Sequence, residues 1–307
     1  MQEKEFSITA KDGVKIPALI YNGNDGGMAG EELFKTRKGA VIIIHGFGEH
    51  AMSYRELAGR LGQAGYASVI FDQRGHGNLS DYPSEKRMKY CGIIPNYQSF
   101  LDDIDAVADE IKQRMPDMPV VLYGHSMGGN IAANYLLTRR QSDFVCAVLE
   151  SPWFGLYKEV SPLTAVAAKL LGHLSPALAT VSKLPQSDVT GDTVKADEMK
   201  NDPLYHNRIS FRMFSGIRKG CIYAINNAAR LSIPTYLAYA KDERIVCNKA
   251  IREFYGKCGD NVKIKEYESC HAIHNDVKRN DFYKDIIDFL NGHTEHIEHT
   301  EHNYKTT

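Results

Sequence analysis

The segment Gly124-His125-Ser126-Met127-Gly128, followed by Gly129, sets a serine between two glycines, each two positions away. A serine hydroxyl attacks a carbonyl only when a neighbouring base takes its proton. The apolar run Val120-Val-Leu-Tyr123 precedes the segment, and a helical pattern over residues 130–139 follows it. That context predicts a sharp strand-to-helix turn that exposes Ser126 at a strand end, with the glycines leaving room for close backbone approach. A second glycine-bearing turn, His45-Gly46-Phe47-Gly48-Glu49-His50, follows the apolar run Val41-Ile-Ile-Ile44. In a parallel sheet the carboxyl ends of the strands share one edge, so the two turns converge there. Attack on a carbonyl puts charge on its oxygen, and two backbone N–H groups must hold it; Phe47 and Met127 are the candidates.

The base must be a histidine, and where a strand-end serine is the nucleophile the chain order is serine, acid, histidine. His173 and His206 fall in a segment that precedes any late-strand acid, and the tail histidines lie beyond the last helical pattern. His271 and His274 remain, just after the final apolar run. His271 is preferred because the loop nearest the strand reaches the sheet edge, whereas His274 is better placed to begin the last helix. The acid should end the penultimate strand, where Asp242 and Glu243 are neighbours. Either can orient an imidazole.

These residues need a scaffold that brings distant turns together. Short, fully apolar runs alternate with helical patterns from residue 40 onward, predicting an α/β fold whose mostly parallel sheet is covered by helices on both faces. Residues 6–21 read as a hairpin around Lys11-Asp12-Gly13. In residues 101–115 the apolar positions Leu101, Ile104, Val107, Ala108 and Ile111 share one helical face, closed by Pro116. Between Leu149 and Pro234 the alternation lapses for far longer than a crossover needs, predicting an inserted subdomain. Within it Ser161-Pro162 reads as a helix start. Leu163, Val166, Ala167, Leu170, Leu171 and Leu174 then form an apolar stripe, expected to pack on the body of the protein or to face a substrate. The segment 293–307 repeats His and Glu and is expected to be disordered rather than a metal site.

At these positions the chain resembles the monoacylglycerol lipase and lysophospholipase branch of the α/β-hydrolases, grouped with the serine-aminopeptidase-like hydrolases. The resemblance runs from about residue 41 to 290. It is carried by His45-Gly-Phe-Gly-Glu-His50, Phe71-Asp-Gln-Arg-Gly-His-Gly77, Gly124-His-Ser-Met-Gly-Gly129, Ala167-Ala-Lys-Leu-Leu171, Asn201-Asp-Pro-Leu204 and His271-Ala-Ile-His274. It implies an α/β-hydrolase fold with Ser126 as nucleophile, His271 as base, Phe47 and Met127 as oxyanion donors, and residues 152–219 as a helical cap. The core would then comprise residues 1–151 and 220–292. In that family the acid precedes an x-[IV]-[VC] pattern, and counting back from Ile245-Val246 selects Glu243. Two departures stand out: the family's acid is usually aspartate, and Ser269-Cys270 replace a Gly-Ala pair before the histidine.

Composition sets the outer bounds. With 37 Lys+Arg against 38 Asp+Glu the net charge is −1, so nothing steers the 307-residue chain toward nucleic acid. With 43% hydrophobic and 24% charged residues it can bury a large core. The first residues are acidic where a signal peptide is cationic, and six cysteines are scattered without a Cys-x-x-Cys pair; both point to a cytoplasmic protein with free thiols. The stretch 163–181 is interrupted by Lys169, His173 and Pro176 and fails as a membrane span, though a cap carrying it could touch a membrane at its surface. The expected function is a serine esterase acting on monoacylglycerol- or lysophospholipid-type substrates, without a cofactor or metal. An aminopeptidase or amidase would instead use cap acids such as Glu159, Asp188, Asp192, Asp197 or Glu198 to hold an amine. A non-catalytic binding protein on the same fold is the third reading.

Overall fold

Apolar runs that cannot face water on either side become the middle of a sheet. In a computed structural model describing residues 2–22, 37–79, 86–182 and 184–294, these are β3 (Gly39–Ile44), β4 (Tyr66–Phe71), β5 (Val120–His125), β6 (Cys146–Glu150) and β9 (Thr235–Ala240), each buried along its whole length. All pair in parallel, as strands covered on both faces do. At one edge β1 (Gln2–Thr9) and β2 (Lys15–Asn22) form the expected antiparallel hairpin, and β2 in turn pairs antiparallel with β4. Gly13 takes the positive φ its turn requires, 83°. At the other edge β10 (Val262–Tyr267) runs parallel to β9 and exposes Lys263, Lys265 and Glu266 to water. Charge on an edge strand discourages pairing with another chain. The order is β1-β2-β4-β3-β5-β6-β9-β10.

Two apolar layers cover the sheet. One joins it to the helices Gln98–Arg114, Met127–Thr138 and Phe211–Asn227 through residues such as Ile104, Ile131 and Ile217. The other joins it to Arg55–Gln63 and Arg279–Thr294 through Leu57, Leu61, Phe282 and Ile286. The last helix continues to Thr294, past the expected start of the His/Glu-rich tail; residues 295–307 lie outside the described residues.

The lapse in alternation is a separate layer between β6 and β9. It holds the helices Pro162–Leu174 and Thr193–Asn201 and the antiparallel pair β7 (Ala179–Val181) and β8 (Arg208–Ser210). The helix Phe211–Asn227 leads back to the core without a break at residue 219. Ser161 starts the helix Pro162–Leu174 as its composition predicts, accepting a hydrogen bond from the Thr164 N–H at 3.1 Å. The expectation for its apolar stripe fails. Leu163 and Leu174 are 82% and 78% exposed, and Val166 and Leu170 are exposed as well. The helix turns Ala168 and Gly172 inward instead. A Cβ on Gly172 would lie 2.8 Å from the Arg212 nitrogen, so small residues, not leucines, set the approach of these helices.

Candidate active site

The turn between β5 and the helix Met127–Thr138 holds Ser126 at φ 54°, ψ −115°, a conformation that costs a non-glycine residue energy. The flanking glycines explain how it persists. A Cβ on Gly128 would sit 2.1 Å from the Ile44 carbonyl oxygen and 2.6 Å from that of His45, and one on Gly124 would sit 2.4 Å from the Gly128 carbonyl oxygen. The turn is therefore pressed onto the end of β3, and only glycine fits at either position. The Ser126 N–H donates to the Glu150 carbonyl, and the Ser126 carbonyl accepts from the N–H groups of Asn130 and Trp153.

His271 and Glu243 come to this serine from the ends of β10 and β9. His271 Nε2 lies 2.8 Å from Ser126 Oγ, and His271 Nδ1 lies 2.7 Å from Glu243 Oε2. The other Glu243 oxygen accepts from the N–H groups of Ile245 at 2.8 Å and Val246 at 3.1 Å, which fixes the carboxylate plane. Asp242 points the opposite way, exposed to solvent, with its N–H on the Ser269 carbonyl. All three groups of the relay are buried. Burial opposes a charge on His271, but the Glu243 carboxylate outweighs it and holds the imidazole pKa above its ordinary 6.5. Burial likewise pushes Glu243 upward, and His271 together with the two backbone N–H groups overcomes this and lowers it. Such an arrangement can take a proton from Ser126 and stabilise the resulting imidazolium.

Phe47 sits between Gly46 and Gly48 on the loop after β3 and lines the cavity beside Ser126. Met127 is the first residue of its helix, where an N–H has no acceptor within the helix. Glu49 braces the loop: its Oε2 accepts from the Gly46 N–H at 2.7 Å and from the Tyr54 hydroxyl at 2.6 Å. The inserted layer braces it from above. The His206 N–H donates to the Gly48 carbonyl, the His206 ring meets the Phe47 ring edge-on, and His50 Nε2 lies 3.0 Å from Asp202 Oδ2. The same layer holds the histidine loop, since the Ala272 N–H donates to the Val189 carbonyl and Thr190 Oγ1 to the Asn275 carbonyl. Asp276 braces the turn before His271, accepting from Ser269 Oγ and the Cys270 N–H. No motif signals Glu49, His206 or Asp276 as braces: Glu49 and Asp276 act within their own loops through bonds no pattern marks, and His206 reaches Gly48 from the inserted layer.

His274, the alternative base, sits behind the site. Its N–H and Nδ1 meet the fully buried Glu150 at 3.0 Å, and the Tyr123 hydroxyl donates to the same carboxylate. His125, Glu150 and His274 are the one group of three potential metal ligands among the described residues, with their donor atoms within 4.8 Å of one another. Glu150 already bonds His274 and Tyr123, so the cluster stands as an internal ion-paired network.

Above Ser126 lies a cavity of about 270 Å³. Its walls are mainly apolar, with Trp153, Leu156, Val160, Ala168, Phe211 and Phe214 prominent, and Glu49 is the one carboxylate among the described residues that line it. The helix Pro162–Leu174 contributes Thr164 and Ala168 to it, not Leu170 or Leu171.

The serine aminopeptidase S33 family matches residues 35–278. The phospholipase YtpA of Bacillus subtilis is 31% identical over 249 residues, covering 80% of this chain and 92% of YtpA. An uncharacterised abhydrolase-domain protein of Dictyostelium discoideum is 29% identical over 81% of this chain, but the chain spans only 26% of that protein. Among solved structures, a soluble variant of the Saccharomyces cerevisiae monoglyceride lipase, in complex with a substrate analogue, superposes with a TM-score of 0.78. It is 23% identical, covering 95% of this chain and 94% of the yeast chain. The sheet order, the strand-end serine turn and the family match over most of the length lead to one conclusion: the chain is an α/β-hydrolase and belongs to the serine aminopeptidase S33 family.

Proposed function

We propose that the protein is a serine carboxylic-ester hydrolase that cleaves single-chain lipid esters, of the monoacylglycerol or lysophospholipid type, through an acyl-enzyme on Ser126. The observation that carries this reading is the hydrogen-bonded chain Ser126–His271–Glu243 at the floor of an apolar cavity. In the first step Ser126 Oγ attacks the ester carbonyl while His271 Nε2 takes the hydroxyl proton, with Glu243 holding the imidazolium. The carbonyl oxygen gathers the charge and rests on the N–H groups of Phe47 and Met127, each donor contributing about 3 kcal/mol in such sites. The tetrahedral intermediate collapses, the ester C–O bond breaks, and His271 returns the proton to the leaving alcohol. Water then repeats the cycle on the acyl-enzyme and releases the carboxylic acid. The cavity's apolar walls suit an acyl chain. The relatives named phospholipase and monoglyceride lipase favour the same substrate class.

We assign residues 152–219 the role of cap. The exposed row Leu163, Val166, Leu170 and Leu174 on one helix face then supports peripheral contact with a membrane, since water penalises so continuous an apolar row. No helix among the described residues is long and apolar enough to cross a membrane. Six unpaired cysteines favour a cytoplasmic setting.

The family's description raises aminopeptidase chemistry as the second reading. A substrate amine would need a free acid in the cavity, and Glu49 is already held by Gly46 and Tyr54. The cap acids Asp192 and Glu198 pair with Arg279 and Lys195 outside the cavity. A panel of p-nitrophenyl acyl esters and aminoacyl-p-nitroanilides under identical conditions separates the readings: ester turnover that rises with acyl length supports the proposal, and anilide turnover alone refutes it.

A further inference from the structure

A second cavity, about 590 Å³, opens where the helix Pro162–Leu174 meets Phe211–Asn227 and the start of Gln98–Arg114. It shares no lining residue with the cavity above Ser126. Lys169, His173, Arg212 and Lys219 line it, and among the described residues no carboxylate does. Lys169, His173 and Lys219 have no ion-pair or hydrogen-bond partner among the described residues. Arg212 donates from Nε to the Gly172 carbonyl and from Nη1 to the Pro95 carbonyl, both at 2.9 Å, so its charge meets only neutral oxygens. Ser215, in the same wall, has a buried hydroxyl with no hydrogen-bond partner.

Gathering like charges around a concave surface raises the local positive potential, and a bound anion relieves it. A guanidinium and ammonium groups match a phosphate's several acceptor oxygens better than a single carboxylate. The space far exceeds a bare phosphate and falls in the range of small-molecule sites, and Leu101, Tyr97 and Tyr223 give it apolar and aromatic walls. We infer that this cavity binds a phosphate ester carried on an apolar body, with Lys169, Arg212 and Lys219 on the phosphate. Lys169 belongs to the exposed cap helix and Lys219 to the helix returning to the core, so the ligand bridges the two. The phosphate can come from a soluble ester or from the headgroup of an anionic phospholipid.

The inference is independent of ester hydrolysis, and its test uses the Ser126→Ala protein so that turnover has no bearing on the outcome. Calorimetric titration with octyl phosphate, with uncharged octyl glucoside as control, reads the soluble ester. Sedimentation with phosphatidylcholine vesicles, with and without phosphatidylglycerol, reads the headgroup. K169Q/K219Q should weaken octyl phosphate binding, or the phosphatidylglycerol-dependent part of vesicle binding, by at least about tenfold. K169R/K219R and the charge-matched surface control K4Q/K263Q should stay within about twofold. An effect on octyl phosphate alone identifies a soluble ester, and one on the vesicles alone identifies the headgroup; either supports the inference. It is overturned if neither probe binds, if K169Q/K219Q binds as tightly as its parent, or if K4Q/K263Q weakens binding equally.

Discussion

Glu243 Oε2 and His271 Nδ1 stand 2.7 Å apart, with the neighbouring Asp242 turned out to solvent. Adjacent residues leaving a strand point in opposed directions, so one acid alone can reach the imidazole. Glu243→Gln is therefore expected to lower kcat by about a thousandfold or more, and Asp242→Asn to change it by less than about tenfold. Steady-state kinetics on one soluble ester checks both. Retained activity in Glu243→Gln with loss in Asp242→Asn would assign the acid to the wrong residue.

The same carboxylate sets the acid limb of the pH profile. In the proposed role of base His271 must be neutral, and Glu243 holds its pKa above 6.5. The rise of kcat/KM with pH should therefore have its midpoint above 6.5 in the parent. Removing the negative charge lowers the imidazole's proton affinity, so the residual activity of Glu243→Gln should rise at lower pH. An unshifted midpoint would mean that another group governs the limb.

Behind the site, Glu150 and His274 form a buried pair. Glu150→Gln leaves an imidazole facing a neutral amide, and breaking a buried pair of this kind costs about 3–5 kcal/mol. The folded pKa of His274 is raised: burial works against its charge, but Glu150 prevails. Its contribution is therefore full below the unfolded value of 6.5 and is lost as pH rises through the folded one. The deficit of Glu150→Gln in thermal unfolding should be larger at pH 5.5 than at pH 9. Equal deficits would show that the pair is not charged in the folded protein.

Gly128 lets the serine turn approach β3. Gly128→Ala would press a Cβ onto the Ile44 and His45 carbonyls, an overpacking expected to cost about 3 kcal/mol and to displace Ser126. Thermal unfolding and probe labelling of the same variant read the two effects, and a variant of parental stability would contradict the contact.

The proposed membrane contact of the exposed leucines is separable from hydrolysis of a soluble substrate. Leu163→Ser with Leu174→Ser should leave hydrolysis of p-nitrophenyl butyrate within about twofold while lowering binding to neutral phosphatidylcholine vesicles several-fold. Equal vesicle binding would remove this face from membrane contact.

Much of this site was legible in the sequence because its parts sit at the ends of strongly patterned strands. Ser126, Phe47 and Met127 follow runs too apolar to be anything but central strands, and chain order narrowed the histidine to His271 or His274. Residue pattern alone left Asp242 and Glu243 open; resemblance to a family selected between them, and the backbone direction at the end of β9 gives the physical reason. The stripe from Leu163 to Leu174 misled because helical periodicity reports that one face is apolar and not what covers it. His206 and Gly191 reach the two loops from the inserted layer, at the Gly48 carbonyl and at Asp276, and no local pattern encodes those contacts; the bonds of Glu49 and Asp276 within their own loops carry no motif either.

The central claim is that Ser126 alone carries the covalent step. Treatment with a fluorophosphonate followed by intact-mass and peptide mapping tests it directly. One adduct per chain, on Ser126 and absent from Ser126→Ala, is the expected result; labelling that persists in Ser126→Ala, or an unlabelled folded parent, would contradict it.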